Sequence, residues 1–160
     1  MMVGMLLRHF VVIARPIEEI ETDLATGAQK WMPALAWMSN GQGQRLLSEL
    51  GFEVGKRPMA RRIEVELGAL RPMGGVTLLP IRWKAASHAG LFPGLEGQLE
   101  MAPIGKTTTQ LSLSASYEPP FGVLGRIADR ALMHRVAEIT DKDFLDRIRD
   151  RLQVSGQMAM

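Results

Sequence analysis

Three histidines, His9, His88 and His134, are the side chains of this 160-residue chain best suited to moving a proton near neutral pH. None lies at the i, i+4 spacing that lets two imidazoles on one helix share a zinc ion, and there is no HExxH. The chain has no cysteine, which excludes disulfides, thiolate metal sites and thiol nucleophiles. No metal is expected. Gly105-Lys106-Thr107 resembles the end of a phosphate loop, but Glu100 stands where that loop needs its first glycine, and Thr107–Tyr117 alternates as a strand. A hairpin turn is the reading there. Gly41-Gln42-Gly43 begins a dinucleotide-like pattern that Leu46 breaks at the third glycine position.

Asp141, Asp143 and Asp146 are spaced like part of a calcium loop, yet Leu145 replaces an oxygen ligand and no glycine makes the turn. Interleaved with Arg147, Arg149 and Arg151, these acids read as an exposed, salt-bridged helix face. No G-x-S-x-G elbow is present. No cofactor is expected. What remains are polar groups able to line an internal site. His9 sits on a strand whose two faces are both partly apolar, so its direction is open. Trp83 and Tyr117 each combine an apolar body with a polar hydrogen. Trp31 and Trp37 read as packing or lid residues.

The elements that must position these groups follow from periodicity. Residues 5–14 form a strand by β-branched and aromatic content, ended by Arg15-Pro16. Ile17, Ile20 and Leu24, with Glu18, Glu19 and Glu21 early, predict a short helix. A second short helix is predicted from Trp31 to Met38, then a loop over Ser39–Gly43 and a further turn or two from Gln44 to Leu50. From 59 to 118 the period is two. The apolar sets are Ile63, Val65, Leu67, Ala69; Leu79, Ile81, Trp83, Ala85; Leu95, Gly97, Leu99, Met101; and Leu111, Leu113, Ala115, Tyr117. One wet and one buried face is the antiparallel pattern. Pro80, inside a strand, demands an edge or a bulge. After Pro119-Pro120 a long helix is predicted from Phe121 to Leu152, with a bend or a change of packing partner expected near Thr140-Asp141 and a frayed tail over 153–160.

The hydrophobic share of 46% and charged share of 22% favour a globular chain over a disordered one. The length fits one domain, taken as 1–152. The net charge is +2, and the basic cluster Lys56, Arg57, Arg61, Arg62 is flanked by Glu64 and Glu66, so no nucleic-acid surface is expected. The apolar Met1–Leu7 precedes Arg8 and His9, the reverse of a secretory signal, and no apolar run approaches the ~20 residues of a membrane span. A cytoplasmic protein is the expectation.

Three local segments carry a family resemblance. Arg15-Pro16-Ile17-Glu18-Glu19-Ile20 resembles a characteristic strand-to-helix turn, and Trp31-Met32-Pro33 a W-x-P segment. The run from Ser116 to Arg130, SYEPPFGVLGRIADR, is similar to a Y-x-P-P-x-G-x-x-G-x-x-x-D junction before a final helix. All three resemble the START/Bet v 1-like superfamily (SRPBCC, polyketide cyclase/dehydrase-like), over about residues 5–152. The resemblance implies an α+β helix-grip fold: a curved antiparallel sheet around a long C-terminal helix, with two short helices after strand 1. It carries over no catalytic residue. The leading expectation is a binder of a hydrophobic small molecule, lipid- or polyketide-like, in a cavity between sheet and terminal helix. Its lining is taken as His9, Leu79, Trp83, Leu99, Met101, Leu111, Leu113, Tyr117 and Ile127, with Gly97 and Ala115 leaving room. The alternatives are a cyclase- or dehydratase-type enzyme in that cavity, with His9 as its acid or base, and a ligand-free interaction domain. The pattern leaves homodimerisation open.

Overall fold

A computed structural model describes residues 5–49, 63–85, 94–118 and 130–158. Six strands form one antiparallel sheet: β1 (Met5–Ile13), β2 (Ile63–Leu67), β3 (Arg71–Met73), β4 (Val76–Ala85), β5 (Gly94–Pro103) and β6 (Thr109–Glu118). Their order is β1-β6-β5-β4-β2, with β3 also on β4. Among the described residues two helices, α1 (Ile17–Glu49) and α2 (Arg130–Met158), cover one face. The alternation read from the sequence holds along β4, β5 and β6, but Ala69, read as inward, is exposed, and Ser112, on the outer face, is buried. Val65, Leu79, Ile81, Trp83, Leu95, Leu99, Met101, Leu111, Leu113 and Ala115 are all buried on that inner face.

Pro80 is accommodated by a bulge. Leu67 pairs with Ile81 and Arg71 with Leu78, so residues 68–70 lie opposite only Leu79 and Pro80. The Gly68 N–H donates to the Pro80 carbonyl at 2.9 Å. A strand residue points its nitrogen and carbonyl to the same neighbour, so the donor that proline lacks falls where the ladder is already interrupted. A Cβ at Gly68 would meet the Pro80 ring at 2.9 Å. The three-residue β3 beyond this bulge was not foreseen. Gly74 (φ 56°) and Gly75 (φ 90°) make the tight β3–β4 turn, both in the left-handed region that such a two-residue hairpin requires. Gly105-Lys106-Thr107 lies in the β5–β6 hairpin turn, as expected, closed by the Ile104 N–H on the Thr108 carbonyl.

The helices correct the sequence reading. The two short helices expected after strand 1 are one continuous helix of 33 residues that passes through Gly27, Pro33 and the supposed loop at Ser39–Gly43. Ile20, Leu24, Ala28, Met32 and Ala36 recur every fourth residue in one unbroken buried stripe, and its burial outweighs the local breakers. Ser39 and Asn40 are themselves buried, and the Asn40 side chain donates to the Ala36 carbonyl inside the helix. α2 runs unbroken through Thr140-Asp141, with the Thr140 hydroxyl donating to the Val136 carbonyl, so no new helix begins there. It continues to Met158 where a frayed tail was expected from 153. The Phe121–Arg130 part of the expected helix falls outside the described residues, Arg130 excepted. α1 and α2 lie antiparallel, Met38 against Arg147 and Trp31 under the Arg151 guanidinium. α1 packs on β2, and α2 on β1 and β6.

Arg15 locks these parts together. Its Nη1 donates to Asp23 of α1 at 2.6 Å and to the Leu152 carbonyl of α2 at 2.8 Å, and its own carbonyl accepts from Thr109 of β6. Gly156 passes so close that a Cβ there would lie 2.6 Å from the Arg15 side chain. We expect Arg15→Met to lower unfolding stability by about 2–3 kcal/mol, since a carbonyl and a carboxylate lose their cation. Arg15→Lys would recover only part, because an ammonium lacks the planar fork. Urea titrations of the three proteins read this directly, and equal midpoints would refute it.

Gly97 sets a second constraint. It lies on the inner face between Leu95 and Leu99, opposite Ala115. A Cβ there would stand 2.7 Å from the Ala115 Cβ and closer still to the Ser114 carbonyl. The room that Gly97 was expected to leave for a ligand is therefore filled by the backbone of β6. Gly97→Ala should cost about 3 kcal/mol or more, the upper end of overpacking, because backbone cannot rotate aside. A denaturant midpoint within error of wild type would show that the strands separate freely.

Candidate functional site

The β1 register settles the direction of His9. It pairs with Leu113, placing Leu7, His9, Val11 and Ile13 on the inner face and leaving Leu6, Phe10 and Val12 exposed outside. His9, Leu113, Leu99 and Leu79 then form one row straight across β1, β6, β5 and β4. Val11, Leu111 and Met101 form the neighbouring row, and Trp83, Leu95 and Tyr117 another, two residues along each strand beyond the Gly97–Ala115 row. Seven of the nine residues taken from the sequence as lining thus share one surface. Tyr117 joins them by backbone register, its side chain lying outside the described residues, as does Ile127 altogether. The basic cluster at 56–62 and His88 also lie outside them.

Six of these residues, Leu79, Trp83, Leu99, Met101, Leu111 and Leu113, are fully enclosed members of the hydrophobic core. Phe144 of α2 stands edge-on to Trp83, with ring centres 4.6 Å apart at 87°. That contact places the middle of α2 over the sheet. The Trp83 Nε1–H is buried beneath it with no hydrogen-bond partner. Nε2 of His9 is also buried and unpartnered, although the ring as a whole is only half-buried. Burial lowers the His9 pKa below its ordinary 6.5; Glu138 opposes this, Lys142 adds to it and Asp146 opposes it. Those three charges recur every fourth residue along α2, so the edge of the helix over β1 looks onto His9. The imidazole is held neutral, with one nitrogen free to accept.

Asp141 is the residue that the sequence reading misplaced. It is wholly buried, and both carboxyl oxygens lack a partner. Asp143 and Asp146 behave as expected, pairing with Arg147 at 2.6 Å and Arg149 at 3.6 Å on the outer surface. Asp141 instead belongs to the buried stripe of Ala137, Phe144, Leu145, Ile148 and Leu152. The three- and four-residue spacing of that stripe was visible in the sequence, and the acid was assigned by its neighbours rather than by its phase. Burial alone pushes its carboxyl up to about 7 from 3.8. It lies one position before Lys142, which acts on His9, and three before Phe144, which touches Trp83. Asp141 thus shares its stretch of α2 with Phe144, which meets Trp83, and Lys142, which acts on His9.

Leu6, Arg8, Glu96, Gln98, Ser114 and Ser116 of the outer face, with Leu7, Gly97 and Ala115 between them, line an open depression of about 550 Å³. It lies away from the residues read as lining. Among the described residues no group of three or more His, Asp or Glu side chains is placed to hold a metal ion. No described helix is long and apolar enough to cross a membrane.

No protein-family model matches the chain, and no curated protein matches it. Among solved structures, a conserved protein from Geobacillus kaustophilus is similar at a TM-score of 0.54 and 16% identity, over 94% of this chain and 97% of that one. An aromatase/cyclase from Streptomyces sp. R1128 aligns over 94% of both chains at a TM-score of 0.39 and 12% identity. Norcoclaurine synthase from Thalictrum flavum aligns over 88% of this chain and 86% of that one, at a TM-score of 0.42 and 13% identity. At such identities the likeness is one of fold. That fold is a helix-grip α+β arrangement, an antiparallel sheet with a long C-terminal helix, as the sequence resemblance implies.

The raised pKa of Asp141 has a consequence for stability. Between about pH 4 and 7 the native protein holds a proton that the unfolded chain has released, so stability falls as pH rises through that window. At 1.36 kcal/mol per pKa unit the fall is roughly 4 kcal/mol at most. Asp141→Asn should remove this slope and leave the variant the more stable protein at pH 8. Urea unfolding at three pH values tests it; parallel pH profiles for the two proteins would refute the assignment.

Proposed function

We propose that the protein binds a small, largely apolar molecule between the inner face of the sheet and α2. One observation carries this reading. The Nε1 of Trp83, the Nε2 of His9 and both oxygens of Asp141 are buried without partners, as are the Arg15 Nε, Ser39 Oγ and Asn40 Oδ1. Each such group costs about 1–3 kcal/mol when left unsatisfied, and natural cores keep few of them. A bound molecule with an apolar body and a few polar groups would recover that cost, the usual composition of a ligand site. The named functions of the fold neighbours, aromatase/cyclase and norcoclaurine synthase, belong to those proteins and indicate only that such a fold can host small molecules. The lack of cysteine suits a reducing cytoplasm, which we take as the setting.

A second reading, a cyclase- or dehydratase-type enzyme at the same place, is favoured by the opposed titration of its two ionisable groups. A histidine held neutral and a carboxyl held protonated toward neutrality are a base and an acid at the same pH. The binding reading comes first because it needs no substrate geometry.

Native mass spectrometry of the purified protein should show a fraction carrying a co-purified small molecule. A solvatochromic apolar dye should bind the folded protein saturably, at about one site per chain. Trp83→Phe, which keeps a ring against Phe144 but removes the N–H, should weaken dye binding more than it weakens folding. Dye binding that appears only on acid or thermal loosening would point to a molten state and overturn the proposal.

A further inference from the structure

We propose that β1 is a pairing edge for a second copy of this chain: two β1 strands align antiparallel about His9 and join the two sheets into one. β1 is the end strand of the sheet, and among the described residues no strand pairs with its free side. The hydrogen-bond phase of the sheet fixes which residues that side presents. The Ile104 N–H on the Thr108 carbonyl makes those two a hydrogen-bonded pair, and such pairs alternate along an antiparallel ladder. Leu99–Leu113 and Gly97–Ala115 are therefore pairs without hydrogen bonds, in keeping with the close approach of Gly97 to Ala115. Leu113 and Ala115 turn their N–H and C=O groups to β1 instead, where His9 and Leu7 meet them. The N–H and C=O groups of Leu6, Arg8, Phe10 and Val12 consequently point off the sheet.

The two edges of the sheet differ in kind. β1 runs nine residues without proline or bulge, and Leu6, Phe10 and Val12 project from it 84%, 65% and 47% exposed. The other edge is blunted: β2 has five residues with Glu64 and Glu66 exposed, and β3, set off by the bulge at Gly68, has three with Pro72 among them. With one pairing edge per chain, association closes at two copies and does not grow into a fibre. The strand is also its own match. With His9 on the two-fold axis, Leu6 of one copy lies opposite Val12 of the other, Leu7 opposite Val11, and Arg8 opposite Phe10. The outward residues then make about eight backbone hydrogen bonds, near the ten or so of a standard interface. Sliding the register one way sets Arg8 against Arg8, and sliding it the other carries Leu6 past the end of β1. Burial holds His9 neutral, so no like charges meet on the axis. α2 packs on both β1 and β6, so it stands back from the edge, and the two α2 helices lie about 10 Å apart, the spacing of packed helices.

Sedimentation equilibrium from about 1 to 100 μM should show wild type passing from monomer to dimer, the weak end for an interface of this size. Arg8 and Phe10 are exposed in the single chain, so substitutions there leave the fold intact, which thermal melts confirm. Phe10→Arg sets arginines face to face across the axis and should weaken the dimer at least about tenfold. Phe10→Glu loses the same ring but meets Arg8 of the other copy, and should stay within about threefold of wild type. Adding Arg8→Glu to Phe10→Arg should restore association. If the Arg and Glu variants weaken the dimer equally, the contact is unspecific or lies elsewhere and the proposal is overturned. A wild type that stays monomeric throughout leaves the edge to another strand or to none, and overturns it as well.

Discussion

The buried guanidinium of Arg15 is the interaction on which the arrangement turns. It stands where β1 ends and α1 begins, and reaches both Asp23 on α1 and the Leu152 carbonyl near the end of α2. Leu152 lies six residues before the end of α2, so Arg15 brings a charged donor to the second lone pair of a carbonyl inside the helix. Thr109 fastens the same residue's carbonyl to the start of β6. Through its side chain and its carbonyl this one residue ties α1, α2 and β6 together at the end of β1. The angle of α2 across the sheet, and with it every contact between that helix and β1, depends on this anchor.

From that anchor the site follows as geometry. With its C-terminal part tied to the β1–α1 corner, α2 runs back along β1, and its middle turns face the sheet where His9 and Trp83 point inward. Gly97 lets β5 and β6 approach without a side chain between them. The two small positions at Gly97 and Ala115 are consumed by this close approach of strands. The inner layer is consequently tight and apolar, and against it the few unpartnered polar atoms stand out. Their cost is not compensated by any hydrogen bond in the chain, while the surrounding core of Leu, Ile, Met and Phe supplies the stability that carries it.

Much of the sheet was legible because its signal is local. Alternation from Ile63 to Tyr117 identified the inward residues, and the position of Pro80 called for the bulge that Gly68 provides. The reach of α1 was not legible in the same way. Gly27, Pro33 and Ser39–Gly43 each argue locally for a break, and only the continuous burial of Ile20 through Ala36 against β2 and α2 outweighs them. β3, with three exposed residues, has no apolar period to betray it.

Composition and periodicity by themselves determined the class of this protein: antiparallel strands wet on one face, a terminal helix to cover the other, and no thiol chemistry. They also named most of the residues that share the inner surface, since alternation assigns a face to each strand position. Which face of β1 turns inward was undetermined, because MLLRHFVVI is apolar in both phases; pairing His9 with Leu113 decided it. Asp141 shows the limit most clearly. Among Asp143, Asp146 and the arginines it looks like one more solvated acid, and its seclusion arises only when α2 is pinned at its far end by Arg15 and rolled so that Ala137, Asp141, Phe144 and Ile148 face the core. A charged residue's surroundings are a property of helix placement, and helix placement is a long-range fact.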